Sequence, residues 1–184
     1  LKVETDEGIY GWGEAYSTGP DLSVEPVADY LFQLIGGEDP RRIEFIMMKL
    51  MQEFRFPPGG VGLPAISALD HALWDISGKA AGLPVHKLIG SHRDCCQAYY
   101  NFGGPSPSAA AEDAIQARDR GFALKDHFHD TGSQNEIWFR TVRDAVGPEP
   151  VLLHDAASCD YNFEEALRVG QVLQELDFGW FEEP

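Results

Sequence analysis

Hydrophobic and polar positions change their period along this chain, and the first third predicts a short hairpin followed by two helices. Leu1 to Thr5 and Ile9 to Trp12 read as two strands, and the segment Asp6-Glu7-Gly8 between them is typical of a tight turn. Val24 to Ile35 and Arg42 to Phe54 repeat apolar residues at helical spacing.

The best-defined helix is predicted from Ala65 to Ala80, after a break rich in proline and glycine. It ends near Gly82-Leu83-Pro84, a typical stop signal. One face of this segment is apolar, as expected of a helix that packs on a core. The apolar positions on that face are Ile66, Leu69, Leu73 and Ile76.

From about Cys96 the pattern changes to an alternation of strands and helices, which favours right-handed βαβ units and a parallel sheet. Asn162 and Glu165 have the spacing of a capping box at the start of the last helix. The predicted strands are Ala98 to Phe102, Ala123 to Phe128, Val151 to Asp155 and Gly179 to Glu182; the predicted helices are Ser108 to Arg120, Gln134 to Val146 and Asn162 to Leu176.

Three of these strands end in groups that can carry chemistry, and parallel sheets place their functional residues at such ends. Lys125 and His127 are two residues apart, so we expect them on the same side of their strand. Asp155 and Glu182 end the next two strands and are the oxygen ligands that a hard cation prefers. A cation near Lys125 would lower the pKa of its amine and leave it able to take a proton.

Structural interpretations of the same residues stay open at this point. The chain has 30 acidic residues, so an acid at the end of a strand arises easily by chance. Lys125 could extend to solvent at the rim of the sheet, and His127 with His129 could be an exposed pair in a loop. The pattern alone does not decide between these interpretations and a metal site.

Composition excludes several classes of protein. Of the 184 residues, 43% are hydrophobic, which suits one ordinary domain or two small ones. No apolar run approaches the roughly 20 residues that span a bilayer, and the net charge of −16 would repel nucleic acids and anionic lipids. The three cysteines, two of them adjacent at Cys95 and Cys96, favour a reducing compartment such as the cytoplasm.

The two ends of the sequence predict that it is part of a longer protein. It begins without Met inside an apparent strand and stops directly after another strand at Pro184. A parallel sheet that ends there would leave an apolar edge open to pairing with other chains.

The sequence resembles the mandelate racemase and muconate lactonizing enzyme branch of the enolase superfamily. The resemblance lies in the helix AISALDHALWDISGK at 65–79 with the following GLPVHKLIG at 82–90, in the hairpin ETDEGIYGWGEA at 4–15, and in the final WFEEP at 180–184. These motifs occur in the order that the family has, and they cover essentially the whole chain but about half of a typical member.

The resemblance implies an α+β capping domain followed by part of a (β/α)7β TIM-like barrel. Residues 1–94 would form the capping domain, with an incomplete first strand, and residues 95–184 the first half of the barrel, truncated after its fourth strand. A substrate loop of the capping domain would contain Tyr16, Ser17, Thr18 and Asp21.

The resemblance also implies a chemistry. Asp155 and Glu182 would be the first two Mg²⁺ ligands, with a third beyond Pro184, and Lys125 and His127 the catalytic residues. Family members remove the proton α to a carboxylate through a stabilised enediolate. We expect a small-molecule carboxylate substrate, the dehydration of a sugar acid and a homo-oligomer. The alternatives are a racemase, epimerase or cycloisomerase, or an inactive fragment that acts as an assembly partner.

Two positions beside these residues depart from the family pattern. Asp126 stands where an apolar, outward-facing residue is expected, and His154 stands where an aliphatic residue is common. The run between Gly121 and Lys125 is also one residue shorter than usual. Whether Lys125 faces the inside of the barrel therefore stays open in the sequence.

Overall fold

The computed structural model describes residues 1–16, 19, 21–55, 59–157 and 159–184. By its internal contacts the chain divides into two units, Leu1–Asp94 and Cys95–Pro184. Each unit has a buried apolar core of its own.

The first unit is a hairpin and four helices. Strands β1 (Lys2–Glu4) and β2 (Tyr10–Trp12) pair in antiparallel fashion, with Val3 opposite Gly11. A short 3-10 turn over Asp21–Ser23 precedes the first helix. The helices are α1 (Val24–Ile35), α2 (Ile43–Gln52), α3 (Gly62–Ala81) and α4 (Val85–Leu88). The hairpin and three of these helices were predicted, and only the four-residue α4 was not.

Helix α3 is the centre of this unit, because α1, α2 and the hairpin all pack against it. Two glycines of the hairpin segment allow a close approach. A Cβ added to Gly11 would lie 2.0 Å from the carbonyl oxygen of Ala72, and one added to Gly13 would lie 1.7 Å from that of Ala68. Asp75 of α3 accepts a hydrogen bond of 2.8 Å from the backbone N–H of Trp12. The hairpin is therefore held directly on the backbone of α3.

The second unit alternates strands and helices. Its four strands form one parallel sheet in the order β3-β4-β5-β6. The strands are β3 (Tyr99–Asn101), β4 (Ala123–Asp126), β5 (Leu152–Asp155) and β6 (Phe178–Glu182), and the helices are α5 (Pro107–Asp119), α6 (Gly132–Val146) and α7 (Phe163–Glu175). This order and direction confirm the predicted βαβ units.

Each of the three helices in this unit begins at a side-chain cap. Ser106, Thr131 and Asn162 accept a hydrogen bond from the backbone N–H three residues further on. The predicted cap at Asn162 is confirmed, and its amide also donates to the Glu165 carboxylate at 2.8 Å. The caps satisfy N–H groups that have no partner within the helix.

The sheet has an outer face covered by helices and an inner face that carries the strand-end residues. Leu124, Leu152 and Phe139 are fully buried in the outer layer. On the inner face, Tyr99 of β3 and Trp180 of β6 approach to 6.0 Å between ring centroids. Three strand spacings in a flat sheet would separate β3 and β6 by about 14 Å. This contact therefore indicates a sheet that curves inward, as a section of a barrel does.

Candidate active site

Lys125, Asp155 and Glu182 meet on the inner face at the carboxyl ends of three neighbouring strands. The Lys125 Nζ lies 2.8 Å from Asp155 Oδ2 and 2.7 Å from Glu182 Oε2. Asp155 and Glu182 are also direct register partners across β5 and β6. Because side chains alternate along a strand, the inner-face positions two residues earlier are Ala123, Leu153 and Trp180. Strand geometry thus brings three groups together that are far apart in sequence.

Burial excludes one of the structural interpretations. The Lys125 side chain is 6% exposed and that of Asp155 is 7% exposed, whereas Glu182 is 40% exposed. Lys125 therefore does not extend to solvent at the rim of the sheet. It faces the inside, which answers the question that the shortened run before it left open.

The charges of the three groups stabilise one another. Burial alone would lower the pKa of Lys125, but the hydrogen bonds and charges of Asp155 and Glu182 outweigh it, and its pKa is raised. Burial likewise opposes ionisation of Asp155, yet the hydrogen bonds from Lys125 and from the Ala157 backbone N–H, at 2.9 Å, leave its pKa lowered. With these neighbours alone Lys125 is a protonated ammonium. The lowered pKa expected from the sequence depended on an added cation.

His127 lies at the edge of this group, just beyond the last residue of β4. Its Nδ1 is 3.4 Å from Asp155 Oδ2, and 38% of its side chain is exposed. The His129 ring is 6.4 Å away between centroids, and its Nδ1 lies 3.0 Å from the Ala157 carbonyl oxygen. His127 is thus half accessible and on the same side of the sheet as Lys125.

The two carboxylates have the chemistry that a hard cation requires. Both reach the same nitrogen, so their oxygens converge on one small volume. Oxygen donors of this kind suit Mg²⁺. No group of three or more His, Cys, Asp or Glu side chains within the described parts of the chain could hold a metal ion. Asp155 and Glu182 therefore fit a metal as a partial set of ligands.

The residues of the expected substrate loop belong to the first unit. Tyr16 is 82% exposed, and Asp21 begins the 3-10 turn before α1. Both line a cleft of about 800 Å³ together with Glu14 and Lys2. Ser17 and Thr18 lie outside the described residues. A role of this segment in binding substrate stays a prediction.

Directly behind the inner group, the outer face holds a pair that the sequence did not lead us to expect. Asp126 follows Lys125, His154 precedes Asp155, and the two are register partners on adjacent strands. Asp126 Oδ1 and His154 Nδ1 are 2.6 Å apart, and both side chains are fully buried. The sequence contained one signal for this pair: both residues occupy outer-face positions of two neighbouring predicted strands. The two departures from the family pattern are therefore one interaction.

Known protein families match both units of the chain. The family described as "Mandelate racemase / muconate lactonizing enzyme, N-terminal domain" matches residues 1–90, and "Enolase C-terminal domain-like" matches residues 109–184. The chain belongs to the mandelate racemase/muconate lactonizing enzyme branch of the enolase superfamily. Its fold is the superfamily's α+β capping domain followed by part of a (β/α)7β TIM-like barrel, as the sequence predicted.

Relatives of this superfamily chain include sugar-acid enzymes. A D-galactonate dehydratase of Xanthomonas euvesicatoria pv. vesicatoria is 39% identical over 187 residues, which cover 96% of this chain and 48% of the relative. The structure of a 3,6-anhydro-D-galactonate cycloisomerase from Zobellia galactanivorans matches all of this chain and 52% of its own, with a TM-score of 0.91 and 31% identity. A putative galactarate dehydratase from Agrobacterium radiobacter, with bound Na and L-malate, has a TM-score of 0.88 and 36% identity over 100% of this chain and 50% of its own.

The chain thus spans about half the length of these relatives. No helix within the described residues combines the length and the apolar character needed to cross a membrane.

Proposed function

We propose that the full-length protein is a Mg²⁺-dependent enzyme that removes the proton α to a carboxylate and dehydrates a sugar acid. The observation that carries this proposal is the convergence of Lys125, Asp155 and Glu182 at the ends of three adjacent strands. The dehydratase relatives support a polyhydroxylated acid as the substrate.

Each residue of the group has a role in this reaction. Asp155 and Glu182 would hold Mg²⁺, which supplies positive charge next to the substrate carboxylate as its α-proton leaves. Lys125 takes that proton on its Nζ as the general base. His127, half exposed beside Asp155, contacts the substrate carboxylate. The bond from the β-carbon to its hydroxyl then breaks, and the hydroxyl leaves as water with a proton from a general acid.

The base role sets an electrostatic requirement on Lys125. Asp155 and Glu182 raise its pKa and keep it protonated when their charges act on Lys125 alone. A neutral amine forms only when these carboxylate charges are engaged by another partner. Proton abstraction is therefore coupled to what the two carboxylates bind.

Dehydration can be separated from the other outcomes by assay. The full-length protein with Mg²⁺ is incubated with a panel of aldonic and aldaric acids, and 2-keto-3-deoxy products are measured. We expect a product from at least one acid and its loss on chelation. Exchange of the α-proton with solvent deuterium, without dehydration, would instead show a racemase or epimerase. If no acid gives a product or exchanges its α-proton, the remaining alternative is a non-catalytic assembly partner.

A cycloisomerase is the second candidate, because the Zobellia galactanivorans structure has this activity in its name and overlays the whole chain. The same panel extended with anhydro and lactone substrates distinguishes it, since cycloisomerisation changes no mass and releases no water.

A further inference from the structure

Strands β4 and β5 lack the alternation of apolar and polar residues that normally fixes which side chains face inward. The residues of β4 are Ala-Leu-Lys-Asp at 123–126 and those of β5 are Leu-Leu-His-Asp at 152–155. In the observed register each of these strands gives one apolar and one polar side chain to each face of the sheet. The same is true after a shift of the strand by one residue. The hydrophobic pattern therefore does not distinguish the observed register from one that turns Lys125 outward.

The outer face contains one specific interaction that does distinguish them. Asp126 and His154 are opposite each other in the register and share a hydrogen bond of 2.6 Å. The surrounding layer is apolar: the Phe139 ring lies 4.6 Å and the Phe181 ring 5.5 Å from the His154 ring. Among the described residues, neither Asp126 Oδ2 nor His154 Nε2 has a hydrogen-bond partner. The bond between Asp126 and His154 is therefore what offsets the cost of burying these two side chains.

We propose that the buried Asp126–His154 pair is a positioning device that sets the register of β4 against β5 and so directs Lys125 and Asp155 to the inner face. Each member is the chain neighbour of a site residue, so fixing one side chain outward fixes the next one inward. Asp126 also accepts a hydrogen bond of 3.2 Å from the Phe128 backbone N–H, which turns the chain that carries His127.

A slip of β4 by one residue shows why the pair is decisive. It would place Lys125 in the apolar outer layer opposite His154, where the three N–H donors of its ammonium would meet at most one acceptor, the unprotonated ring nitrogen. It would also place Asp126 on the inner face next to Asp155, two carboxylates side by side. Buried polar groups without partners are costly, and the observed register avoids both arrangements. Buried polar pairs are best attested in this role of specifying register.

The test compares two single variants with the double variant in the full-length protein. Asp126→Leu leaves His154 without its partner, and His154→Leu leaves a buried carboxylate unpaired. We expect each to weaken Mg²⁺ binding about 10- to 100-fold and to lower kcat about 100-fold. Calorimetric titration of Mg²⁺ measures the first quantity without any substrate.

The double variant Asp126→Leu/His154→Leu is expected to recover much of what the single variants lose. Its β4 would read Leu-Lys-Leu-His at 124–127, as in Asp126→Leu alone, but without a buried His154 that lacks its partner. Alternation would then specify the same register without that cost. Replacing both members of a buried polar pair by apolar residues is often tolerated, which guards against simple unfolding. A double variant as impaired as the single ones would overturn the register role, since the pair would then act on the site in another way.

A matched control separates positioning from general stability. Arg143 is a buried polar residue at the opposite edge of the sheet, where it donates to the carbonyl oxygens of Pro150, Leu176 and Asp177 before β5 and β6. Arg143→Met should lower the melting temperature but leave Mg²⁺ affinity within about twofold, as expected for a site it does not touch. If Arg143→Met loses as much Mg²⁺ affinity as the Asp126 and His154 variants, the pair contributes to stability only and has no positioning role.

A spectroscopic readout tests the bond itself. With ¹⁵N-histidine labelling, the wild type should show a downfield, exchange-protected His154 Nδ1 proton that Asp126→Leu abolishes. Single variants with wild-type Mg²⁺ affinity would overturn the proposal. The kcat and Mg²⁺ readouts rest on the proposed function, whereas the Nδ1 proton depends on neither substrate nor metal. An inactive wild type with an intact proton signal would refute the enzyme assignment alone.

Discussion

At the scale of single residues, the state of Lys125 decides what the group can do. Its ammonium bridges Asp155 and Glu182, so it neutralises the carboxylates and also competes with any other cation for them. A base that is held as an acid by its own neighbours can take a proton only after those neighbours are engaged elsewhere. The proposed base role of Lys125 is therefore conditional on ligand binding.

Replacement of this residue gives a prediction with two parts. In the full-length protein, Lys125→Met should reduce exchange of the substrate α-proton by at least about 100-fold, the usual contribution of a positioned base. Mg²⁺ affinity should be retained or rise, because a competing positive charge is removed. Exchange is followed by NMR in D₂O, with exposed Lys87→Met as the control. Undiminished exchange would remove Lys125 from the base role.

Gly13 has a structural role that can be tested in the same way. A Cβ at this position would lie 1.7 Å from the Ala68 carbonyl oxygen, so the hairpin would have to move away from α3. We expect Gly13→Ala to destabilise the protein by about 3 kcal/mol or more, as for severe overpacking. Gly59→Ala, where the added atom meets nothing within 4 Å, is the control. Equal denaturant midpoints for the two variants would contradict this.

The inner residues could be predicted from sequence and the outer pair could not, for a physical reason. Lys125, Asp155 and Glu182 follow apolar runs, and the ends of parallel strands meet at one edge. Asp126 and His154 were visible only as two separate irregularities. Joining them requires the register between two strands, and the composition of these strands leaves that register undetermined.

At the scale of elements, the starts of the three helices in the second unit follow from their side-chain caps. Helix α7 begins after Asn162, which accepts from the Glu165 backbone N–H at 3.0 Å. Two features carry no such signal and were not predicted. The four-residue α4 is too short to show a period, and β6 contains a register shift in which Leu152 and Leu153 pair with Phe178 and Trp180. Gly179 is the extra residue of β6 at this bulge, and no local sequence pattern predicts the bulge.

The cap of α7 provides a prediction at this scale. Asn162→Ala should lower the free energy of unfolding by about 1 kcal/mol, because the Glu165 N–H loses its partner. Asn162→Ser keeps an accepting oxygen and should cost much less. Denaturant titration of both variants measures the difference, and equal losses would show that the hydrogen bond contributes nothing.

At the scale of the whole molecule, the inner face of the second unit is apolar at the end away from the charged site residues. Tyr99, Val151 and Trp180 are 44%, 53% and 43% exposed there. Together with Ala123 of β4 and Leu153 of β5, they line an open groove. Exposed apolar sheet surface of this kind favours association. The fold class was predictable because its motifs are long, whereas the extent of this exposed face is visible only in the structure.

This face leads to a prediction for the 184-residue polypeptide expressed by itself. It should bind a hydrophobic dye such as ANS and elute as oligomers in size exclusion at micromolar concentration, because its inner face is open to solvent. Val151→Lys should reduce both effects. Leu22→Lys, at a residue that is 94% exposed in the first unit, is the control. A control with the same effect would assign the association to a different surface.

The ammonium between the two carboxylates also bears on how the protein is made. Two neighbouring acids at the ends of β5 and β6 would repel each other while the sheet forms, and Lys125 removes that repulsion from within the chain. A newly synthesised polypeptide can therefore assemble these strands before it encounters any divalent ion.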